Sequence, residues 1–131
     1  MALENYFRQQ GSSFRDQLPV SVNRLPVCLF ARAFNLRSYG LAVQLYGKCK
    51  PVRLPAFLKD QLLRAASSVC LNLAEGAAKP TVKDRQRFYC IAFASLREVQ
   101  AVIDLERGQL GALHEPADVL AAHLYKLTRP G

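Results

Sequence analysis

The chain has 131 residues, half of them hydrophobic and 21% charged, which fits one soluble globular domain with a self-sufficient core. Eighteen Lys and Arg against ten Asp and Glu give a net charge of +8, an excess that favours an anionic partner, nucleic acid first and an acidic protein surface second. No apolar run approaches the roughly 20 residues that span a bilayer, and the N-terminal MALENYFRQQGSSFRD is too polar for a secretory signal, so a cytoplasmic protein with no membrane partner is expected.

Residues 1–22 contain Gly11, Ser12 and Ser13 and sustain no apolar period. They are predicted to be a flexible N-terminal arm, which leaves 23–131 as a single domain. Pro19 and Pro26 bracket a short extended approach to it. From Pro26 to about Gly47, Val27, Phe30, Phe34, Leu41 and Leu45 step by three, four or seven and predict a first helix. Gly40 inside it costs about 1 kcal/mol relative to Ala, so close packing or a kink is expected there. The link GKCKPVRLP follows. A second helix is predicted to start between Pro51 and Pro55, because proline is tolerated in a first helical turn and not in an interior.

That helix runs to about Ala77 and contains QLLRAASSVCLNLAEG, residues 61–76, the most informative stretch of the chain. Leu62, Ala65, Ala66, Val69 and Leu73 share one helical face. The small residues Ala65 to Ser68 let a neighbouring helix approach closely. Gly76 fits a helix terminus, where a residue without Cβ can take the left-handed conformation that closes the last turn. Lys79-Pro80 breaks the chain, and Thr81-Val82-Lys83-Asp84 reads as an N-cap with a carboxylate three residues on. A third helix extends to about Arg107, with Gly108 and Gly111 marking its end. Glu115-Pro116 begins a shorter fourth helix that reaches about Thr128.

Four helices with short links and no strand-like alternation predict an all-α, antiparallel up-and-down four-helix bundle. The third helix carries two apolar stripes, Phe88, Ala92, Ser95, Val99, Val102 and Tyr89, Phe93, Leu96, Ile103. That is wider than one bundle face requires, and it points to homo-oligomerisation.

Gln61, Arg64, Ala65, Ala66 and Ser68, the ending Asn72-x-Ala74-Glu75-Gly76, and Arg87-Phe88, Ala92, Ser95-Leu96 and Glu98 form a pattern. Together with Tyr46 ahead of Pro51, it resembles the four-helix-bundle proteins encoded within intervening sequences of bacterial 23S ribosomal RNA genes. The resemblance covers about Pro26 to Thr128. Lys50 departs from it, standing where the family has an aromatic residue, and Val52, Arg53 and Leu54 replace a usual acidic residue. The resemblance implies a left-handed bundle assembled as a homo-oligomeric, pentameric ring. Relatives of that family include accessory proteins of diversity-generating retroelements, which are basic, pentameric and held to bind nucleic acid and a reverse transcriptase.

No catalytic constellation accompanies the pattern. There is no phosphate-binding glycine loop, nucleophile–base pair or metal set, so neither an enzyme nor a cofactor is expected. Cys28, Cys49, Cys70 and Cys90 form no C-x-x-C pair and read as small buried apolar residues. His114 and His123, nine apart, fall on different helix faces and argue against a metal. Asn72 and Glu75 share a face at i, i+3. Asn72 is expected to hydrogen-bond across the bundle, and Glu75 to pair with a basic group such as Arg64 or Arg87. Gln61, Asn72, Glu75 and Gly76 are thus assigned to structure.

The basic residues are unevenly placed. Eight fall between Arg24 and Arg64 with one acid, Asp60, and four between Lys79 and Arg87 with one acid, Asp84. Lys83, Arg85 and Arg87 occupy the start of a helix, where the macrodipole disfavours cations by a few tenths of a kcal/mol each. Either they form an anion site with the free backbone N–H groups, or Thr81 and Asp84 offset them and the rest is solvated. The candidate nucleic-acid-binding residues are Lys48, Lys50, Arg53, Arg64, Lys79, Lys83, Arg85 and Arg87, Arg64 serving either packing or ligand contact. Phe88, Tyr89 and Phe93 look needed for packing, so no stacking platform and no sequence specificity are expected. The expected function is a non-enzymatic, oligomeric bundle that binds the RNA or DNA backbone, as an accessory factor to a nucleic-acid enzyme such as a reverse transcriptase. The alternative is a protein-interaction scaffold with no direct nucleic-acid role.

Overall fold

The computed structural model describes residues 37–129, which lie in helices, in the short links between them, or just after the last one. The predicted arm at 1–22, the Pro19–Pro26 approach, the first three residues of the helix-one stripe and Cys28 lie outside the described residues. Four helices follow one another: α1 (Arg37–Cys49), α2 (Ala56–Ala78), α3 (Val82–Leu105) and α4 (Arg107–Leu127). α1 packs on α2, α2 on α3, α3 on α4, and α4 closes back on α1. This is the up-and-down bundle that the spacing predicts.

The core is one continuous cluster. Ala42, Leu45 and Cys49 of α1 meet Leu62, Ala65, Ala66, Val69 and Leu73 of α2, the face read from the sequence. From α4 come Leu110, Leu113, Ala117, Leu120 and Leu124, all at three- or four-residue steps. Both stripes of α3 contribute to the core, with Phe88, Phe93 and Ser95 left half-buried. Tyr89, Ala92, Leu96, Val99, Val102 and Ile103 are buried within the single chain, because α3 has α2 on one side and α4 on the other. Most of the apolar width of α3 is used within its own bundle, one helix covering two neighbours.

Two helix starts differ from the predicted ones. α2 begins after Pro55, which is its N-cap in an extended conformation (φ −51°, ψ 144°). Each proline disfavours the helical region for the residue before it, so Lys50 and Leu54 hold the intervening segment open. Lys59 fixes that segment by donating from Nζ to the carbonyls of Lys50 and Val52. α4 begins at Arg107, eight residues before Glu115, and takes Gly108, Gly111 and Pro116 into its body. The two glycines cost about 1 kcal/mol each and the proline about 3. Burying Leu110 and Leu113 returns about 1.5–3 kcal/mol each, and with Leu120 and Leu124 beyond them the stripe outweighs the breakers. The reversal between α3 and α4 is made at Glu106 alone (φ −125°, ψ 42°).

Candidate nucleic-acid interface

An up-and-down bundle sorts the candidate residues into two ends. The α1–α2 link and the α3–α4 turn lie at one end, and the α2–α3 link lies at the other with the close of α4. The two ends are separated by the length of α2, about 33 Å at 1.5 Å per residue. Lys48, Lys50 and Arg53 therefore stand apart from Lys79, Lys83, Arg85 and Arg87. Arg64 lies part-way along α2, exposed and paired with Asp60 across one turn (3.2 Å).

At the first end, Lys48, Lys50, Arg53, Lys59 and Arg107 are faced by Asp60, Asp104 and Glu106. Several of these cations are engaged: Lys50 lies over the Tyr46 ring (4.9 Å), Lys59 holds the link, and Arg107 pairs with Asp104 (3.2 Å). Arg107 also approaches His114 Nε2 (3.2 Å), and His114 Nδ1 is 3.2 Å from Asp118. Asp118 in turn accepts from Gln100 of α3 (2.8 Å). This chain of side chains lines a cleft of about 230 Å³ and ties α4 to α3 near the turn.

The second end is different. Lys79, Lys83, Arg85 and Arg87 are joined there by Lys126 and Arg129 at the close of α4. Among the described residues, only Glu75 and Asp84 oppose these six cations. The local geometry explains how a helix start tolerates them. Thr81 Oγ1 accepts from the Asp84 amide (3.1 Å) and donates to its carboxylate (2.8 Å), so the predicted cap forms and puts a negative group in the first turn. Arg85 reaches back from α3 and donates from Nη1 to the carbonyls of Lys79 (3.1 Å) and Pro80 (3.0 Å). It thereby serves the carboxyl end of α2, where a cation is favourable. Lys79 lies over the Phe88 ring (5.0 Å) and within 3.8 Å of Glu75. Lys83 and Arg87 are exposed and hold no ion pair among the described residues. Of the two readings of this turn, cap formation holds for Thr81 and Asp84, and two cations are left pointing to solvent beside it.

The motif residues have local tasks, some unlike those expected. Gln61 donates to Glu98 of α3 (2.9 Å), and Ser68 and Ser95 share a hydroxyl hydrogen bond between the same helices (2.8 Å). Asn72 does not cross the bundle itself. Its Nδ2 donates to the carbonyl (2.8 Å) and hydroxyl (3.1 Å) of Ser68 one turn back, leaving the Ser68 hydroxyl as the bridge. Glu75 pairs with Lys79, not with Arg64 or Arg87. Gly76 is neither terminal nor left-handed, since α2 continues to Ala78. It is buried where a Cβ would fall 2.8 Å from Phe88 Cβ and 3.0 Å from the Tyr89 ring, so close approach of α3 is what requires glycine.

The thiols divide by burial. Cys49 is buried and its pKa is pushed up to about 11, by burial first, with Lys59 pulling the other way. Cys70 is half-buried and is pushed up to about 12, again chiefly by burial. Cys90 is exposed on α3, contrary to the expectation of a buried residue.

Sequence reasoning missed Lys126, Arg129 and the exposed Tyr125 beside them. The signal was present in the topology, because an antiparallel fourth helix must end beside the start of the third. Among the described residues, no helix is long and apolar enough to cross a membrane. No curated protein matches this chain. The profile of the 23S rRNA-intervening sequence proteins matches residues 34–128, which include all four helices and the Gln61–Gly76 motif, and the chain belongs to that family.

Proposed function

We propose that this protein is a non-enzymatic nucleic-acid-binding bundle of the cytoplasm that grips phosphate backbone with the end carrying Lys79–Arg87 and Lys126–Arg129. The observation that carries the reading is the asymmetry between the ends. Among the described residues, six cations against two carboxylates stand at one, and five against three at the other. A field of that sign raises the local concentration of a polyanion and steers its approach. Backbone contact of this kind positions a nucleic acid without reading its bases. A homo-oligomeric ring, pentameric as in the resemblance above, would repeat the basic end around an axis and multiply its grip. Such an assembly would suit an accessory factor for a nucleic-acid enzyme such as a reverse transcriptase.

Titrating RNA binding against salt tests the reading. With about five phosphates neutralised, log K is expected to fall with log salt at a slope near −4.5 on a duplex and near −3.5 on a single strand. A flat salt dependence, or no binding at about 50 mM salt, contradicts it.

A second reading, a protein-interaction scaffold, is favoured by one observation. Phe57 (74% exposed), Leu71 (66%) and Leu105 (71%) present large apolar side chains to solvent. Its mark would be a stable protein complex that survives nuclease and high salt.

A further inference from the structure

We infer that the basic end takes single-stranded nucleic acid, with Tyr125 as the platform on which one unpaired base stacks. The inference rests on the nucleic-acid reading above and specifies the strand form. Tyr125 lies in the last turn of α4, 46% exposed. Its ring is backed by Phe93 of α3, with centroids 6.3 Å apart and planes tilted by 51°. The Arg129 guanidinium lies over it, 4.3 Å from the centroid. The backbone beneath is fixed, since Thr128 Oγ1 donates to the Tyr125 carbonyl (2.7 Å) and the Thr128 amide to Leu124 (3.0 Å). The platform is therefore preorganised and faces solvent.

Its surroundings suit a strand. Lys126 and Arg129 flank the ring in sequence, and Lys83 and Arg87 stand on the first turns of α3 at the same end. Every base has a π-face, and stacking on Tyr or on a guanidinium plane holds an unpaired base without regard to its identity. A duplex keeps its bases stacked inside and offers this surface phosphates alone. The unpaired base either extends the stack on Arg129 or replaces the guanidinium on the Tyr125 ring, releasing Arg129 to the neighbouring phosphate. The expectation of no stacking platform rested on Phe88, Tyr89 and Phe93, and Tyr125 supplies one while Tyr89 stays in the core and Phe93 backs the ring.

The test compares a labelled single-stranded RNA of about 12 nucleotides, within the usual site size, with the blunt duplex of the same sequence, by anisotropy at one salt concentration. Tyr125→Leu keeps apolar bulk against Phe93 and removes the π-face; Tyr125→Phe keeps the π-face. Tyr125→Leu is expected to weaken single-strand binding about tenfold, to leave duplex binding within about twofold, and to preserve the salt slope. Tyr125→Phe is expected to bind as the parent does. Should Tyr125→Leu lose its fold by circular dichroism, Tyr125→Met, which keeps apolar length against Phe93 and lacks a π-face, is expected to show the same single-strand-selective loss. Equal loss on both strand forms, or no loss on the single strand, overturns the stacking platform alone. Failure of the unaltered protein to bind either form overturns the nucleic-acid reading with it.

Discussion

Gly76 occupies the closest approach of α2 to α3, and the atom nearest its missing Cβ is Phe88 Cβ, 2.8 Å away. A Cβ is fixed to the backbone and cannot swing aside, so Gly76→Ala must push the two helices apart. It is expected to cost about 2–3 kcal/mol, read as a clear drop in Tm; an unchanged Tm contradicts the close approach. The sequence showed that a glycine was needed here but not why, since a glycine after a helical stripe reads equally as a terminus or as a contact. The cysteines make the complementary point. In the unfolded chain both thiols ionise near their ordinary value of 9, whereas in the fold Cys49 and Cys70 hold their protons to about 11 and about 12. Their contribution to stability is therefore whole below pH 9 and lost as pH rises through the folded values. The urea midpoint is expected to fall above pH 9, and Cys49→Ala with Cys70→Ala to flatten that fall. An equal fall in the double variant contradicts this.

α4 is the element whose start the sequence concealed. Gly108, Gly111 and Pro116 are local signals, while the burial that overrides them depends on α1 and α3 being in place, which no local pattern reports. Pro116 still leaves the carbonyl of Ala112 without its amide donor. Pro116→Ala is expected to raise stability by about 2 kcal/mol in urea unfolding, and a loss would show that the ring itself packs usefully against α1. α3, and α2 beyond its first turn, were legible because their stripes agree with the Lys79-Pro80 break and the Thr81 cap between them. At their junction the three cations of the first turns differ in task. Arg85→Gln removes two donors from the α2–α3 link and is expected to cost about 1 kcal/mol. Lys83→Gln and Arg87→Gln break no ion pair among the described residues and are expected to stay within about 0.5 kcal/mol. Equal effects from all three would contradict the assignment of Arg85 to the link.

The molecule as a whole turns a scattered list of basic residues into a polarity. Lys48, Lys50 and Arg53 looked equivalent to Lys83, Arg85 and Arg87 in sequence, but topology separates them by the length of a helix and sets carboxylates beside the first group. The same topology adds Lys126 and Arg129 to the second group, more than forty positions from Lys83 in the chain. Only the order and direction of the helices could reveal that. The measurement that bears most directly on this account compares two triple variants in RNA binding across salt concentrations. Lys83→Gln with Arg87→Gln and Lys126→Gln is expected to weaken binding at least tenfold and to make the salt slope shallower by about two to three. Lys48→Gln with Lys50→Gln and Arg53→Gln removes the same charge and is expected to change affinity less than threefold, with a slope near that of the parent. Equal losses from the two variants would mean that net charge alone attracts the polyanion, and the polarity of the bundle would have no part in binding.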